Sequence, residues 1–168
     1  MVTVCFYANN TVASLLIRLW TWKWFQGQTF ADVPSHVAVL VADPDREDIA
    51  IVCESLFHLG VCTRSFDYRD AKVIGAGRSF YFDDESDRIA NFVTSQLGDK
   101  YDYLALFADV ICRFVPFMRW RVENEARWTC SRLAAHALKS AAVDIPDLRY
   151  PYAPNDLLRR LRRLHHAQ

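Results

Sequence analysis

Cys130 follows Thr129, a helix-capping residue type, and opens a run in which Leu133, Ala134, Ala137 and Leu138 recur at helical spacing. A thiol at a helix start meets unsatisfied backbone amides and the positive end of the helix dipole. Both favour the thiolate, which is the nucleophilic form of cysteine. Taken alone, a buried inert thiol is the commoner case, and the Thr129-Cys130-Ser131 context after an irregular polar stretch narrows the gap without closing it. A nucleophilic cysteine needs a base, and the histidines are His36, His58, His136, His165 and His166. The last two sit at the chain end and His58 in a loop past a hairpin. His136 is six residues on, about 600° round the same helix, out of reach of the thiol. His36 begins a strand and shares a face with Ala38 and Leu40, the rigid setting a base requires. A hydrogen-bonded histidine at a strand edge is the bland alternative.

An imidazole base is usually oriented by an acceptor on its second nitrogen. The runs Ser35 to Ala42 and Ile49 to Ser55 read as a hairpin around the polar connection Asp43 to Asp48. With the turn centred on Asp45, positions 36 and 54 lie opposite each other, so Glu54 becomes a cross-strand neighbour of His36. A carboxylate in the otherwise apolar run Val52-Cys53-Glu54-Ser55 calls for a partner, because unpaired burial is costly; a solvated strand face is the other reading.

The order Ser35-His36-Val37, then Cys53-Glu54-Ser55, then Cys130-Ser131-Arg132-Leu133 resembles the circularly permuted branch of the NlpC-type cysteine peptidases. These YiiX-like proteins are related to the lecithin:retinol acyltransferase group. Ser14-Leu15-Leu16-Ile17-Arg18, Gly98-Asp99-Lys100-Tyr101-Asp102 and Ala153-Pro154-Asn155-Asp156-Leu157 extend the resemblance over nearly the whole chain. It implies an α+β, papain-like fold with a small antiparallel sheet packed against helices, and a Cys130, His36 and Glu54 triad. It implies a thiol hydrolase acting on a peptide or peptidoglycan-stem amide through an acyl-enzyme. Tyr101, Ser35 and Ser131 are the candidates for oxyanion or substrate contacts. Arg132 departs from the pattern, which commonly has an acidic residue two after the cysteine. The alternatives are a lipid or thioester acyl hydrolase or acyltransferase, and a non-catalytic relative that binds a partner in a phage or bacterial assembly.

These side chains must be held by elements the sequence also outlines. A strand spans Val2 to Tyr7, and Asn9, Asn10 and Thr11 form a turn and cap for a helix from Val12 to Phe25. Gly60 to Phe66 and Lys72 to Phe82 continue the sheet. Asp83 or Asp84 caps a helix whose face is Ile89, Phe92, Val93 and Leu97, and Gly98 ends it. A helix from Tyr103 to Val115 follows. The stretch Leu104 to Met118 is too short and too interrupted to span a membrane and reads as a buried helix, with Asp109 and Arg113 paired four apart. The cysteine helix runs to Ala142, and Pro154 starts a last helix ending near Leu164.

Composition limits the function classes. The 168 residues are 52% apolar, enough for one sizeable core, and are read as a single domain over 1–168. Twenty basic and twenty acidic residues cancel, leaving no global field for nucleic acid. Five cysteines without CxxC spacing fit reduced thiols in a cytoplasmic setting, with no metal site and no cofactor expected; a phage-encoded protein would be virion-associated. The opening residues do not form a secretory signal. Trp20, Trp22, Trp24 and Phe25, and the arginines at 159, 160, 162 and 163, are two places for peripheral membrane contact, although core packing and a solvated helix face are the commoner roles.

Overall fold

Alternation of side chains decides the sheet. β1 (Val2–Tyr7), β2 (His36–Ala42), β3 (Ile49–Leu56), β4 (Gly60–Asp67) and β5 (Arg78–Phe82) form one antiparallel sheet in the order β4-β3-β2-β1-β5. The computed structural model describes residues 1–8, 11–22, 30, 33–42, 49–67, 78–114, 127–145 and 153–166. Val2, Val4 and Phe6 of β1, Val37 and Val39 of β2 and Cys53 of β3 point to one face, where they meet the helices in the larger core. Cys5, Tyr7, Ala38, Leu40, Ala50 and Val52 are buried on the other face. Such double burial explains why β1 reads as an almost unbroken apolar run.

Helices α1 (Val12–Trp22), α2 (Ser86–Ser95), α3 (Tyr103–Phe114), α4 (Cys130–Ser140) and α5 (Pro154–His166) complete this mixed α+β architecture. α4 is the central one. Leu133, Ala134, Ala137 and Leu138 are all buried, and its alanines allow close approach to α2 and to β2. Leu157, Leu158 and Leu161 of α5 are also buried, so its leucines are committed to the core and its arginines are carried outside them. Each such side chain withdrawn from water is worth about 1.5–3 kcal/mol.

A two-stranded parallel ribbon, β6 (Lys100–Tyr101) with β7 (Arg127–Trp128), has no counterpart in the sequence reading. Two residues per strand give no periodicity to detect. The ribbon is pinned at Gly60, whose φ is +72° and whose backbone lies so close to Asp99 that a Cβ would come within 2.1 Å of the Asp99 carbonyl oxygen. Val61 donates to that oxygen at 2.8 Å, and Gly98, left-handed but two residues past the Gln96 cap of the preceding helix and so not its stop as expected, donates back to Val61 at 2.9 Å.

Several expectations need correction. The β2–β3 register pairs Val39 with Cys53 and Ala42 with Ala50, so the hairpin centres on Arg46, not Asp45, and Ala38 stands opposite Glu54. α2 starts after Glu85, which makes no side-chain cap bond, so neither Asp83 nor Asp84 is its cap, and Leu97 lies beyond its end, exposed. α3 forms where the helix was expected, but among its described side chains it hides Ala105 and Ala108 and leaves Leu104 and Phe107 in solvent. The Asp109–Arg113 pairing, the 43–48 turn, and the side chains of Trp20, Trp22, Trp24 and Phe25 lie outside the described residues. Among the described residues, no helix is long and apolar enough to cross a membrane, and no cluster of potential metal ligands occurs.

Candidate active site

Thr129 caps α4 as its sequence position requires: its backbone is extended (φ −84°, ψ 160°) and its hydroxyl accepts from the Arg132 amide at 3.3 Å. Cys130 is therefore the first helical residue, held between the β7 strand before it and the core-facing leucines after it. It shares a side-chain hydrogen bond with His36 and receives backbone hydrogen bonds from Val37 and Ser131. Burial opposes ionisation of the thiol, but the charge and hydrogen bond of His36 and the two amides outweigh it, and its pKa is lowered.

His36 opens β2 directly across from Tyr7 of β1. Its Nε2 lies 2.8 Å from Glu54 Oε2, which leaves Nδ1 for the thiol side. The one-step register correction does not break this pair. A shift of the hairpin centre by one residue moves the partner by two, so Glu54 stays on the same face and becomes a diagonal neighbour of His36, within reach of long side chains. Burial again opposes charge on the imidazole, yet the Cys130 thiolate and the Glu54 carboxylate override it and raise the His36 pKa to about 9. Each group thus favours the charged form of the other, thiolate beside imidazolium.

Glu54 is completely enclosed and has three partners. Besides His36, Tyr7 Oη donates to Oε2 at 2.5 Å, and Arg64 Nε stands 2.6 Å from Oε1. The Arg64 contact is a charge pairing without hydrogen-bond alignment, because Oε1 has no directed donor. Burial would raise the carboxyl pKa, but the hydrogen bond and charge of His36, the Tyr7 donor and Arg64 hold it below its ordinary value. Tyr7 itself is pushed up by burial and by the Glu54 charge, so it stays a protonated donor. Tyr7 and Arg64 are missing from the sequence reading. The signal for Tyr7 was present: β1 ends where β2 begins, and pairing the two places Tyr7 against His36. Arg64 carried none, since β4 is polar over Thr63 to Ser65.

The remaining candidates divide. Tyr101 is brought to the site by the β6–β7 ribbon, where it pairs with Trp128 two residues before Cys130. Its pKa is raised by burial first and then by the Cys130 charge, so its hydroxyl stays protonated beside the thiolate. Ser35 is buried beside His36 and hydrogen-bonds Ser14 of α1, which fixes α1 to the edge of the site. Ser131 is buried and contributes its backbone amide to Cys130, while its hydroxyl is 3.5 Å from that of Thr129. Arg132, the departure from the expected acid, is buried and pairs with buried Asp102 at 3.3 Å, tying α4 to the residue after Tyr101. His136 packs with Trp128 and Phe92 away from the thiol, and His58 sits in the β3–β4 turn.

No family model, curated protein or solved structure matches this chain. What the arrangement can do follows from its chemistry. A thiolate at a helix start, an imidazolium held by an enclosed carboxylate, and amide and phenol donors nearby are the parts of nucleophilic acyl transfer.

Proposed function

We propose that this chain is a thiol acyl hydrolase with a Cys130, His36 and Glu54 triad on a permuted papain-like fold, and that it cleaves an amide in a peptide or peptidoglycan stem. The observation that carries the reading is the enclosed Glu54 carboxylate, 2.8 Å from Nε2 of the same imidazole that hydrogen-bonds the Cys130 thiol. An inert buried cysteine has no need of a neighbouring imidazole, and a structural histidine has no need of a carboxylate with two further partners.

In the first half-reaction the Cys130 thiolate attacks the carbonyl carbon and a C–S bond forms. The oxygen takes the negative charge and is held by the Cys130 backbone amide, with the Tyr101 hydroxyl as second donor. His36 gives its proton to the leaving nitrogen as the C–N bond breaks. In the second, neutral His36 takes a proton from water, the hydroxide adds to the thioester carbon, and the C–S bond breaks. The thiolate–imidazolium couple and a carboxylic acid product remain. Glu54 keeps His36 in the tautomer and orientation both halves require and stays ionised throughout.

A second reading replaces the amide by the ester of an acyl lipid, and large exposed apolar side chains next to Tyr101 favour it. Incubation with muropeptides and with acyl lipids separates the two: each substrate class leaves a thioester of different mass on Cys130. Absence of any adduct, with Cys130 no more reactive than the other thiols, would leave a non-catalytic binding protein.

A further inference from the structure

Two helices flanking the site are turned inside out. α1 buries Ser14, Arg18 and Thr21, three polar residues on one helical face, and exposes Leu16 at 61% and Leu19 at 54%. Arg18 points inward, its Nη2 donating to the Phe30 carbonyl at 2.8 Å, and Ser14 is bonded to Ser35. α3 buries its alanines and exposes Leu104 at 64% and Phe107 at 59%. The α3 patch is not isolated: the Tyr103 hydroxyl donates to the Phe57 carbonyl, joining it to the β3–β4 turn, where Leu59 is 68% exposed. The rings of Phe57, Tyr101 and Tyr103 pack together at centroid distances of 4.6–5.5 Å.

Between the turn and α3 lies a cleft of about 290 Å³ that reaches Tyr101, the residue adjoining Cys130. Among the described residues its charged lining is Lys100 and Arg127, with no acidic side chain. Apolar side chains projecting around a cationic cleft match a layer with anionic groups at its surface and hydrocarbon beneath. The sequence following each helix has the same chemistry: Lys23-Trp24-Phe25 after α1, and Phe117-Met118-Arg119-Trp120-Arg121 after α3. A protein partner of matching charge would need acidic groups grouped within an apolar surface; an anionic bilayer supplies both by construction.

We propose that the α3 face and the β3–β4 turn form a docking surface for an anionic lipid bilayer, with the cleft of Lys100 and Arg127 taking the lipid headgroup. Docking sets the mouth beside Tyr101 against the lipid. It does not depend on the acyl-hydrolase reading.

The test is co-sedimentation of the full chain with vesicles of phosphatidylcholine alone and of phosphatidylcholine mixed with phosphatidylglycerol. The chain binds the mixed vesicles, and added salt weakens the binding. Leu104→Glu and Phe107→Glu each weaken it about tenfold or more, the loss expected for one large apolar contact. Lys100→Glu removes the preference for phosphatidylglycerol. Circular dichroism confirms that each variant is folded. Cys130→Ser binds as the parent does, so failure of the thiol chemistry and failure of docking are read separately. Failure to bind mixed vesicles, or binding unchanged in the folded Leu104 and Phe107 variants, overturns the proposal. So does sedimentation without vesicles as a dimer that the same substitutions disperse, since the face would then belong to a second copy.

Discussion

Glu54→Gln removes one charge while keeping the shape of the side chain, and the structure gives the size of the effect. The carboxylate stabilises the His36 imidazolium through a 2.8 Å contact inside a closed environment, where a charge-assisted hydrogen bond is worth about 1.5–3 kcal/mol. At about 1.4 kcal/mol per unit, that is roughly one to two pKa units. The His36 midpoint should move from about 9 down to roughly 7–8. The assay is NMR titration of the imidazole carbon-bound protons, with His36→Gln to assign the signal. Glutamine still accepts from Tyr7, so the variant is expected to fold. A His36 midpoint unchanged by the substitution would show that the imidazolium is held by something other than Glu54, and the triad assignment would fail with it.

Four further outcomes follow. Tyr101→Phe should lower turnover of a cleaved substrate by about 10²-fold while leaving the Cys130 alkylation rate unaltered, because the lost donor serves the oxyanion and not the thiolate. Arg132→Ala strands buried Asp102 and should cost about 3–5 kcal/mol in denaturant unfolding; Asp102→Asn in the same chain should recover part of it. His136 is half-buried, and its pKa is lowered to about 4 by that burial first and then by Arg132 and Lys139. The unfolded chain gains this proton near pH 6.5 and the folded one only near 4, so stability falls as pH falls between them. After allowing for partial solvent exposure this is about 1–2 kcal/mol, and His136→Gln should flatten the slope. Tyr7→Phe removes a 2.5 Å donor from Glu54 and should destabilise the fold by about 1–3 kcal/mol, measured by urea unfolding.

How much was legible from the sequence depended on whether a feature is local. The cap at Thr129 is written in one or two residues and stands where expected, whereas Gly98 has the expected left-handed backbone but lies past the helix end, which Gln96 caps. The His36–Glu54 pairing survived an error in register because side chains in a strand repeat every two residues, and a wrong turn centre that preserves parity keeps the face. Tyr101 is a different case. Its place beside Cys130 comes from a ribbon of two residues per strand, set by the close approach at Gly60, and nothing periodic marks it. α3 misled for the opposite reason: an apolar helix is normally buried, and its sequence cannot say that the core takes Ala105 and Ala108 and leaves Leu104 and Phe107 outside. The departure at Arg132 also acquired its reason only in three dimensions, as the counter-charge of Asp102 thirty residues away.

The central claim, that Cys130 is an activated nucleophile, is tested most directly by competition among the thiols. Brief treatment with iodoacetamide at pH 6.5, followed by peptide mapping, ranks Cys130 against Cys5, Cys53 and Cys62. Burial raises the pKa of all three, Cys53 to about 11, while that of Cys130 is lowered. Exposure alone favours Cys62, the least buried of the four. Modification of Cys130 first, slowed by His36→Ala, is the expected result; modification of Cys62 ahead of Cys130 would contradict it.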